Sequence, residues 1–287
     1  MRTSGRVRAL AIVVLAAGIA IGTAAGGATY RPPVHSGDDF ILAADFHVHA
    51  APGDGSLTPS ALRDEAARAG LDVIAITNHN HLAEAPLVAA LAAANDDRPI
   101  VLLGQEVTHP TYHLIAVGID RVVRSDLSVA DAVAAIHAQN GVAIAAHPTR
   151  SFSGYDDVAL GVVDGTEVAH PERLEKYRRQ YIETFGRARQ LNPHVAPIGS
   201  SDIHNSLSIG QCRTFVFTRE RSARGVIEAI REGHTVASDE RGRLYGDASL
   251  VARVHAAMPK VRTDPHRTWR RAALILTWVG VAGVLLF

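Results

Sequence analysis

Between residues 40 and about 240 the chain repeats one local pattern, a short and nearly continuous apolar run followed by a segment with helical punctuation. Phe40 to Phe46 is the first run. Thr58-Pro59 then opens a helix, the threonine as N-cap and the proline at the first helical position, and Gly70 stops it. Leu71 to Thr77 reads as a strand buried on both faces, followed by an alanine-rich helix over about residues 83–94. The same reading predicts strands at Ile100–Gln105, His113–Gly118, Val142–Ala146, Val162–Val168, Val195–Gly199 and Cys212–Thr218, with helices at about 128–139, 172–190 and 221–232. Strand after helix after strand implies parallel pairing through helical crossovers, and closure into an α/β barrel is the economical arrangement for so many units. A chain of 287 residues, 47% hydrophobic and 20% charged, is long enough for one such domain.

The ends differ from the middle. Ala9 to Thr29 is uncharged and apolar, preceded by Arg2, Arg6 and Arg8 and ending in the small residues Thr23 to Ala28. At about 1.5 Å per residue it can cross a bilayer core of about 30 Å, and its layout also fits a cleavable secretory signal, so residues 1–30 are read as anchor or signal. Arg270 and Arg271 precede a second apolar run, Ala272 to Phe287, short for a span unless the bilayer thins, with Trp269 at an interfacial position. Both arginine groups prefer the cytoplasm, and a domain between two spans cannot satisfy both. Because the first segment usually sets orientation, the expectation is an extracytoplasmic domain with the N-terminus inside. The organisation expected is a linker and first strand at 31–42, a catalytic domain at 43–240, a linker at 241–271 and a membrane segment at 272–287.

Composition narrows the function. With 29 basic and 29 acidic residues there is no net field to gather nucleic acid, and no basic stripe interleaved with aromatics is present, so long nucleic acid is a poor fit. A lone cysteine, Cys212, excludes an internal disulfide and a thiolate zinc site. Fifteen histidines are the oddity. His47 and His49 are two apart at the end of the first strand and share a face. Asp54 follows in the loop, Asn78-His79-Asn80-His81 follows the second strand, Glu106 closes the third, His113 opens the next, His147-Pro148 follows the one after, and Asp202 and His204 follow Gly199. Most therefore fall at C-terminal strand ends, where α/β barrels build active sites. So many buried polar groups on one rim are costly unless divalent ions satisfy them, and imidazole and carboxylate ligands suit zinc, manganese or iron, two or three ions for a set this large.

The strings Asp45-Phe46-His47-Val48-His49, Asp54-Gly55, Ile76-Thr77-Asn78-His79-Asn80, Gly104-Gln105-Glu106, Ala146-His147-Pro148 and Gly199-Ser200-Ser201-Asp202-Ile203-His204 resemble the PHP (polymerase and histidinol phosphatase) family over about residues 43–238. The resemblance implies a distorted seven-stranded β/α barrel with a di- or trinuclear centre held by His47, His49, Asp54, His79, Glu106, His113, His147, Asp202 and His204. It also implies phosphoesterase activity. Residues 230–238 are similar to a branch that includes carbamate and ester hydrolases. Two departures stand out: Asn78 replaces the usual Asp before His79, and the stretch between Glu106 and His147 is too short for the inserted domain of some nucleotide-acting relatives.

The reaction expected is attack on phosphorus by a water whose pKa two cations lower toward neutrality. Arg150 is a candidate for neutralising phosphoryl charge, and His79 or His204 for protonating the leaving group. The substrate expected is a small phosphate ester, nucleotide or short oligonucleotide 5′ end. The alternatives are a carboxylic or carbamic ester substrate and a metal-binding module without turnover. His81 and His109 are placed near the rim as candidates to line the substrate pocket, His170 as an orienting or outer-shell group, Glu167 as facing the barrel in a structural or a catalytic role, and His35, His137, His194, His255 and His266 at the surface or in linkers. Cys212 is expected to pack as a small apolar residue.

Overall fold

The computed structural model describes residues 2–25, 33–94, 98–171, 175–204, 209–257 and 267–286. It divides into two units, residues 1–29 with 263–287 and residues 30–262. His266 and the Gly26-Gly27-Ala28 run lie outside the described residues.

The first unit consists of α1 (Arg2–Ala25) and α9 (Arg267–Leu286). The segment Gly5–Gly22 is long and apolar enough to cross a membrane, a test that a signal sequence also passes, and the apolar part of α9, Ala272–Leu286, is shorter.

In the second unit the chain runs β1 (Val34–Ser36), β2 (Asp39–Val48), α2 (Pro59–Arg68), β3 (Val73–Ile76), α3 (Ala85–Ala93), β4 (Ile100–His109), β5 (Tyr112–Val117), α4 (Val129–His137), β6 (Val142–Ala145), α5 (Asp157–Val162), β7 (Gly165–Ala169), α6 (Glu175–Leu191), β8 (Ala196–Gly199), β9 (Arg213–Thr218), α7 (Ala223–Arg231), β10 (Thr235–Ser238), β11 (Leu244–Gly246) and α8 (Ala248–Ala257). Helix ends follow the expected local chemistry. Thr58 Oγ1 accepts from Ala61 N at 3.3 Å with Pro59 in the first turn, and Gly70 leaves α2 at φ 73°. Ser128 and Ser222 cap α4 and α7 in the same way, and Asn140 and Gly233 end them at positive φ.

One mixed sheet of eleven strands forms among the described residues, in the order β11-β10-β9-β2-β3-β4-β5-β6-β7-β8 with β1 on β2. This corrects the expectation of seven strands and wholly parallel pairing. Parallel crossovers join β2 to β3, β3 to β4, β6 to β7 and β7 to β8, but β5 runs antiparallel between β4 and β6, and β9 antiparallel beside β2. The reason at β5 is local: no helix intervenes between β4 and β5, so the chain turns back through Pro110-Thr111 as a hairpin. Helix α5 occupies residues expected to begin a strand at Val162, and residues 241–257, read as linker, form β11 and α8.

The sheet comes close to closure where β8 meets β9 and β10. Thr214 Oγ1 accepts from Gly199 N and donates to Gly199 O, both at 2.9 Å, and Thr235 Oγ1 donates to Pro197 O at 2.9 Å. A Cβ on Gly199 would sit 2.4 Å from Arg213 O, so only glycine permits this approach. Inside lie alternate residues of the strands, among them Leu42, Ala44, Phe46, Ile115, Val117, Ile144 and Ile198, with Val226 and Ile230 of α7 packed across the end where β2 and β4 begin. Two outer layers bury α2, α3 and α8 on one side and α4, α5 and α6 on the other. Cys212 is buried beside Val168, Ala169 and Ala237.

Replacing the closing hydroxyl by a methyl, Thr214→Val, leaves the Gly199 amide and carbonyl without their partner in a buried setting, and is expected to cost about 2 kcal/mol of unfolding free energy. Urea denaturation checks it; a change within about 0.5 kcal/mol would show that the hydroxyl does not hold the closure.

Candidate metal centre

Extending the sheet ladders past the strand ends builds one rim. His79 bridges to Glu106, Val48 to Ile203, and His49 N donates to Ile203 O at 2.9 Å, so the loops after β3 and β8 are pinned to the ends of β4 and β2. The hairpin puts the beginning of β5 at the rim where β4 ends, pairing Thr108 with His113. That is why His113 joins the set although it opens its strand.

The nine expected residues converge in three overlapping groups: His49, Asp54, His79 and His204; His47, His49, Glu106 and Asp202; and Glu106, His113 and His147. Within each, one nitrogen or oxygen per residue lies within 4.8 Å of the others. His49 and Glu106 each belong to two groups. His47 Nε2 is 3.2 Å from both Glu106 Oε2 and Asp202 Oδ1, and His49 Nε2 is 3.4 Å and 3.3 Å from the same oxygens. Nε2 of His47, Nε2 of His49 and Oε2 of Glu106 are buried without a hydrogen-bond partner. Lone pairs converging on one point in a dry site are the chemistry a divalent cation satisfies, so the residues present fit the group.

A surrounding layer fixes these groups. Glu167 on β7, fully buried, accepts from His47 Nδ1 at 3.0 Å and from the His147 backbone N at 2.6 Å. The first bond directs the His47 Nε2 lone pair into the rim. The second holds His147 at φ 28°, and Asn80 and Asp202 also sit at positive φ, at 55° and 48°, so the backbone is strained at the site itself. Asp45 accepts from Ser201 N and Gly210 N at 3.0 Å and from Ser201 Oγ at 2.5 Å, tying β2 to the loop that carries Asp202 and His204. His79 Nδ1 is 2.6 Å from Thr108 Oγ1, and His204 Nδ1 donates to Asp202 O at 3.1 Å. Phe152 packs on His113 and His147, and Tyr155 OH donates to His113 O. Thr108, Phe152 and Tyr155 carry no motif that sequence reading could have used.

Other expectations resolve individually. Arg150, expected to face the reacting phosphate, is 78% exposed and pairs with Glu183 on α6 at 2.9 Å, because the loop after His147 turns its side chain outward. His170 is brought to the centre, with Nε2 3.5 Å from Asp202 Oδ2 and its ring edge-on to His147. His109 bonds Thr111 and stacks on Tyr112 within its own hairpin, while His81 turns to Ala83 N and Glu84. His137 pairs with Asp164 at 2.8 Å, away from the rim.

The electrostatics follow from packing imidazoles against carboxylates. Burial opposes charge on His47, but Asp202, Glu106 and Glu167 outweigh it and hold the imidazole well above its ordinary value. Burial likewise opposes charge on His49, and bonds to Asp202 and Glu106 lift it to about 9. Burial would raise Glu106, yet the His47 charge and bonds from His113 and His147 take it well below the usual carboxylate range. Burial and the His49 charge together lower His79 despite Glu106.

Because the surrounding carboxylates hold His47 and His49 above the ordinary imidazole value, each keeps a proton more tightly than a free imidazole, and ligation needs the neutral ring. Zinc uptake at pH 7 should therefore release protons, and apparent affinity should rise with pH until about 9. Calorimetry in buffers of different ionisation enthalpy measures this; uptake with no proton release would contradict the assignment of these two ligands. Glu167→Gln, which keeps the shape but weakens the grip on His47, should lower metal affinity by about 10–100-fold with the fold intact, read by competition with a chelating dye.

A family model described as PHP-associated matches residues 193–235, the stretch holding β8, Asp202, His204, β9 and α7. Among solved structures, the chain is similar to a two-domain protein from Bacteroides vulgatus containing a predicted PHP-like metal-dependent phosphoesterase, with TM-score 0.64 and 24% identity over 79% of this chain and 74% of that one. Two partial likenesses are an amidohydrolase from Chromobacterium violaceum (TM-score 0.44, 18% identity, 56% of this chain and 87% of that one) and a protein from Bifidobacterium adolescentis proposed to be a metal-dependent phosphoesterase (TM-score 0.44, 20% identity, 61% and 89%). Among curated proteins there is no significant match. The family model and the likeness in fold agree with the motifs: this chain resembles the PHP family.

Proposed function

We propose that the chain is a metal-dependent phosphoesterase acting on a small phosphate ester. Its centre holds two or three divalent ions, manganese, zinc or iron, through His47, His49, Asp54, His79, Glu106, His113, His147, Asp202 and His204. The observation that carries this reading is the convergence of three buried, unpartnered ligand atoms, His47 Nε2, His49 Nε2 and Glu106 Oε2, at the centre of overlapping groups. The phosphoesterase named in the Bacteroides vulgatus relative supports the activity class.

When bound, such ions supply an activated water and neutralise charge on the phosphoryl oxygens. The chain's residues hold and shield them. His79, Asp54 and His204 are the more open members, with side chains 35%, 45% and 40% exposed, so the substrate approaches from their side while His47 and Glu106 stay dry. His79 and His204 each engage both ring nitrogens, with Nε2 3.3 Å and 3.0 Å from Asp54 Oδ2, which favours ligation over donating a proton to the leaving group. Beside the His147 loop lies a separate cavity of about 400 Å³, lined among others by Pro148, Arg150, Phe152, Gln180, Glu183 and Thr184, which has the size of a small-molecule pocket.

The test is turnover of p-nitrophenyl phosphate against p-nitrophenyl acetate by the full chain in detergent, loaded with Mn²⁺ or Zn²⁺. Phosphate hydrolysis that EDTA abolishes, and that falls to background in the His47→Ala, His49→Ala double variant, is the expected result. Turnover of the acetate alone would assign ester hydrolysis instead, and unchanged activity and metal content in the double variant would remove the centre from the mechanism.

A further inference from the structure

The notable feature outside the centre is how α1 and α9 fit one another. A Cβ on Gly18 would lie 2.6 Å from Thr277 N, one on Gly280 would lie 2.6 Å from Leu15 Cα, and one on Gly283 would lie 2.7 Å from Ala11 Cβ. Gly22 faces Ala273 with the two Cβ positions 3.6 Å apart. As the position in α1 rises from 11 to 22, its partner in α9 falls from 283 to 273, so the helices run antiparallel. At Gly18 and Gly280 the backbones approach so closely that no side chain fits, the way helices associate where lipid removes any hydrophobic drive.

The outward faces carry Leu10, Ile12, Val13 and Ile19 on one helix and Ile275, Trp278 and Val279 on the other, all exposed. The hydroxyl of Thr277 donates to Ala273 O at 2.8 Å, so this polar group is satisfied within its own helix, as a hydrocarbon setting demands. The Gly5–Gly22 stretch spans about 27 Å at 1.5 Å per residue, near the thickness of a bilayer core. The shorter apolar part of α9 is accommodated by local thinning.

We propose that α1 is a permanent membrane helix, not a signal that is removed, and that it pairs with α9 as a two-helix hairpin in a lipid bilayer. The start of α1 and the end of α9 then lie on one face of the membrane, and the end of α1 and the start of α9 on the other. A segment destined for removal has no use for a glycine-fitted partner some 250 residues later. In the sequence, basic residues precede both apolar stretches, Arg2, Arg6 and Arg8 before one and Arg267, Arg270 and Arg271 before the other. This inference is independent of the phosphoesterase reading.

The experiment uses the full chain in native membranes. Its N-terminal sequence should begin at Met1 or Arg2, and the protein should stay in the membrane pellet after alkaline carbonate extraction. A start beyond Gly22, or release into the supernatant, would overturn the proposal. Gly22→Cys with Ala273→Cys places two thiols at a spacing suited to a disulfide, and the native Cys212 is buried. Mild oxidation should link the pair within one chain in the double variant and in neither single variant. A link found only between chains, or none, would overturn the hairpin. Adding Gly18→Leu and Gly280→Leu should abolish the link while leaving the metal content of residues 30–262 unchanged; a link that survives would show that this seam does not hold the helices.

Discussion

One carboxylate organises the rim. Glu106, almost wholly buried, has five imidazoles around it, those of His47, His49, His79, His113 and His147, at 2.7 to 3.4 Å. They come from the ends of β2, β3, β5 and β6, and only a curved sheet brings those ends toward β4 at once. Burying such a set is expensive unless every lone pair and proton is answered, so the outer residues are not ornament. Glu167 fixes the tautomer of His47 while holding the strained backbone of His147, and Asp45 fastens the loop of Asp202 and His204 to the strand that carries His47 and His49. The same charges that make the site costly hold Glu106 ionised.

The near-closure of the sheet serves the same end. Backbone ladders run from β9 through β2 to β8, but the gap between β8 and β9 is spanned by threonine hydroxyls and by a glycine that admits Arg213 O. This seam lies directly before Ser200, Ser201 and Asp202, so the loop that leaves it is released from strand geometry just where Asp202 and His204 join the rim groups. A continuous ladder there would hold Asp202 extended; the observed φ of 48° needs the break.

Much of this was legible in the chain. Buried strands announce themselves as apolar runs, helix ends as Thr-Pro, Ser and Gly signals, and the clustered rim residues as polar side chains at strand ends, because few other reasons put His and Glu there. What could not be read depended on contacts distant in sequence. The hairpin after Glu106 reverses β5 through a short turn whose strands look like any others. Val162 is as apolar as a strand residue and lies in α5 because Asp156 caps that helix, its Oδ1 accepting from Ala159 N. Arg150 has the right charge and the right position along the chain, yet its direction is set by Glu183 and Gln180 on a helix that sequence spacing cannot orient. Residues 241–257 show weak periodicity and gain their structure from packing on the barrel, where Arg253 of α8 lies over Phe217 and bonds Asp39.

Asn78 shows how a departure from a family pattern becomes intelligible once its neighbours are known. Its carbonyl accepts from Ala50 N at 2.8 Å, and its amide donates to Glu84 Oε2 at 3.0 Å and to Pro52 O at 3.4 Å. Both Asn78 and Glu84 are fully buried, and burial pushes the Glu84 carboxyl up. An aspartate at 78 would put a second buried carboxylate within about 3 Å of the first, where one of the two must take up a proton. The amide removes that conflict and adds a donor that a carboxylate lacks, so the loop between His49 and Asp54 and the start of α3 are joined by a neutral-to-acidic bond instead of being driven apart. The carboxylate absent from position 78 is thus supplied nearby by Glu84, which bonds Asn78 and so helps hold the loop that presents Asp54.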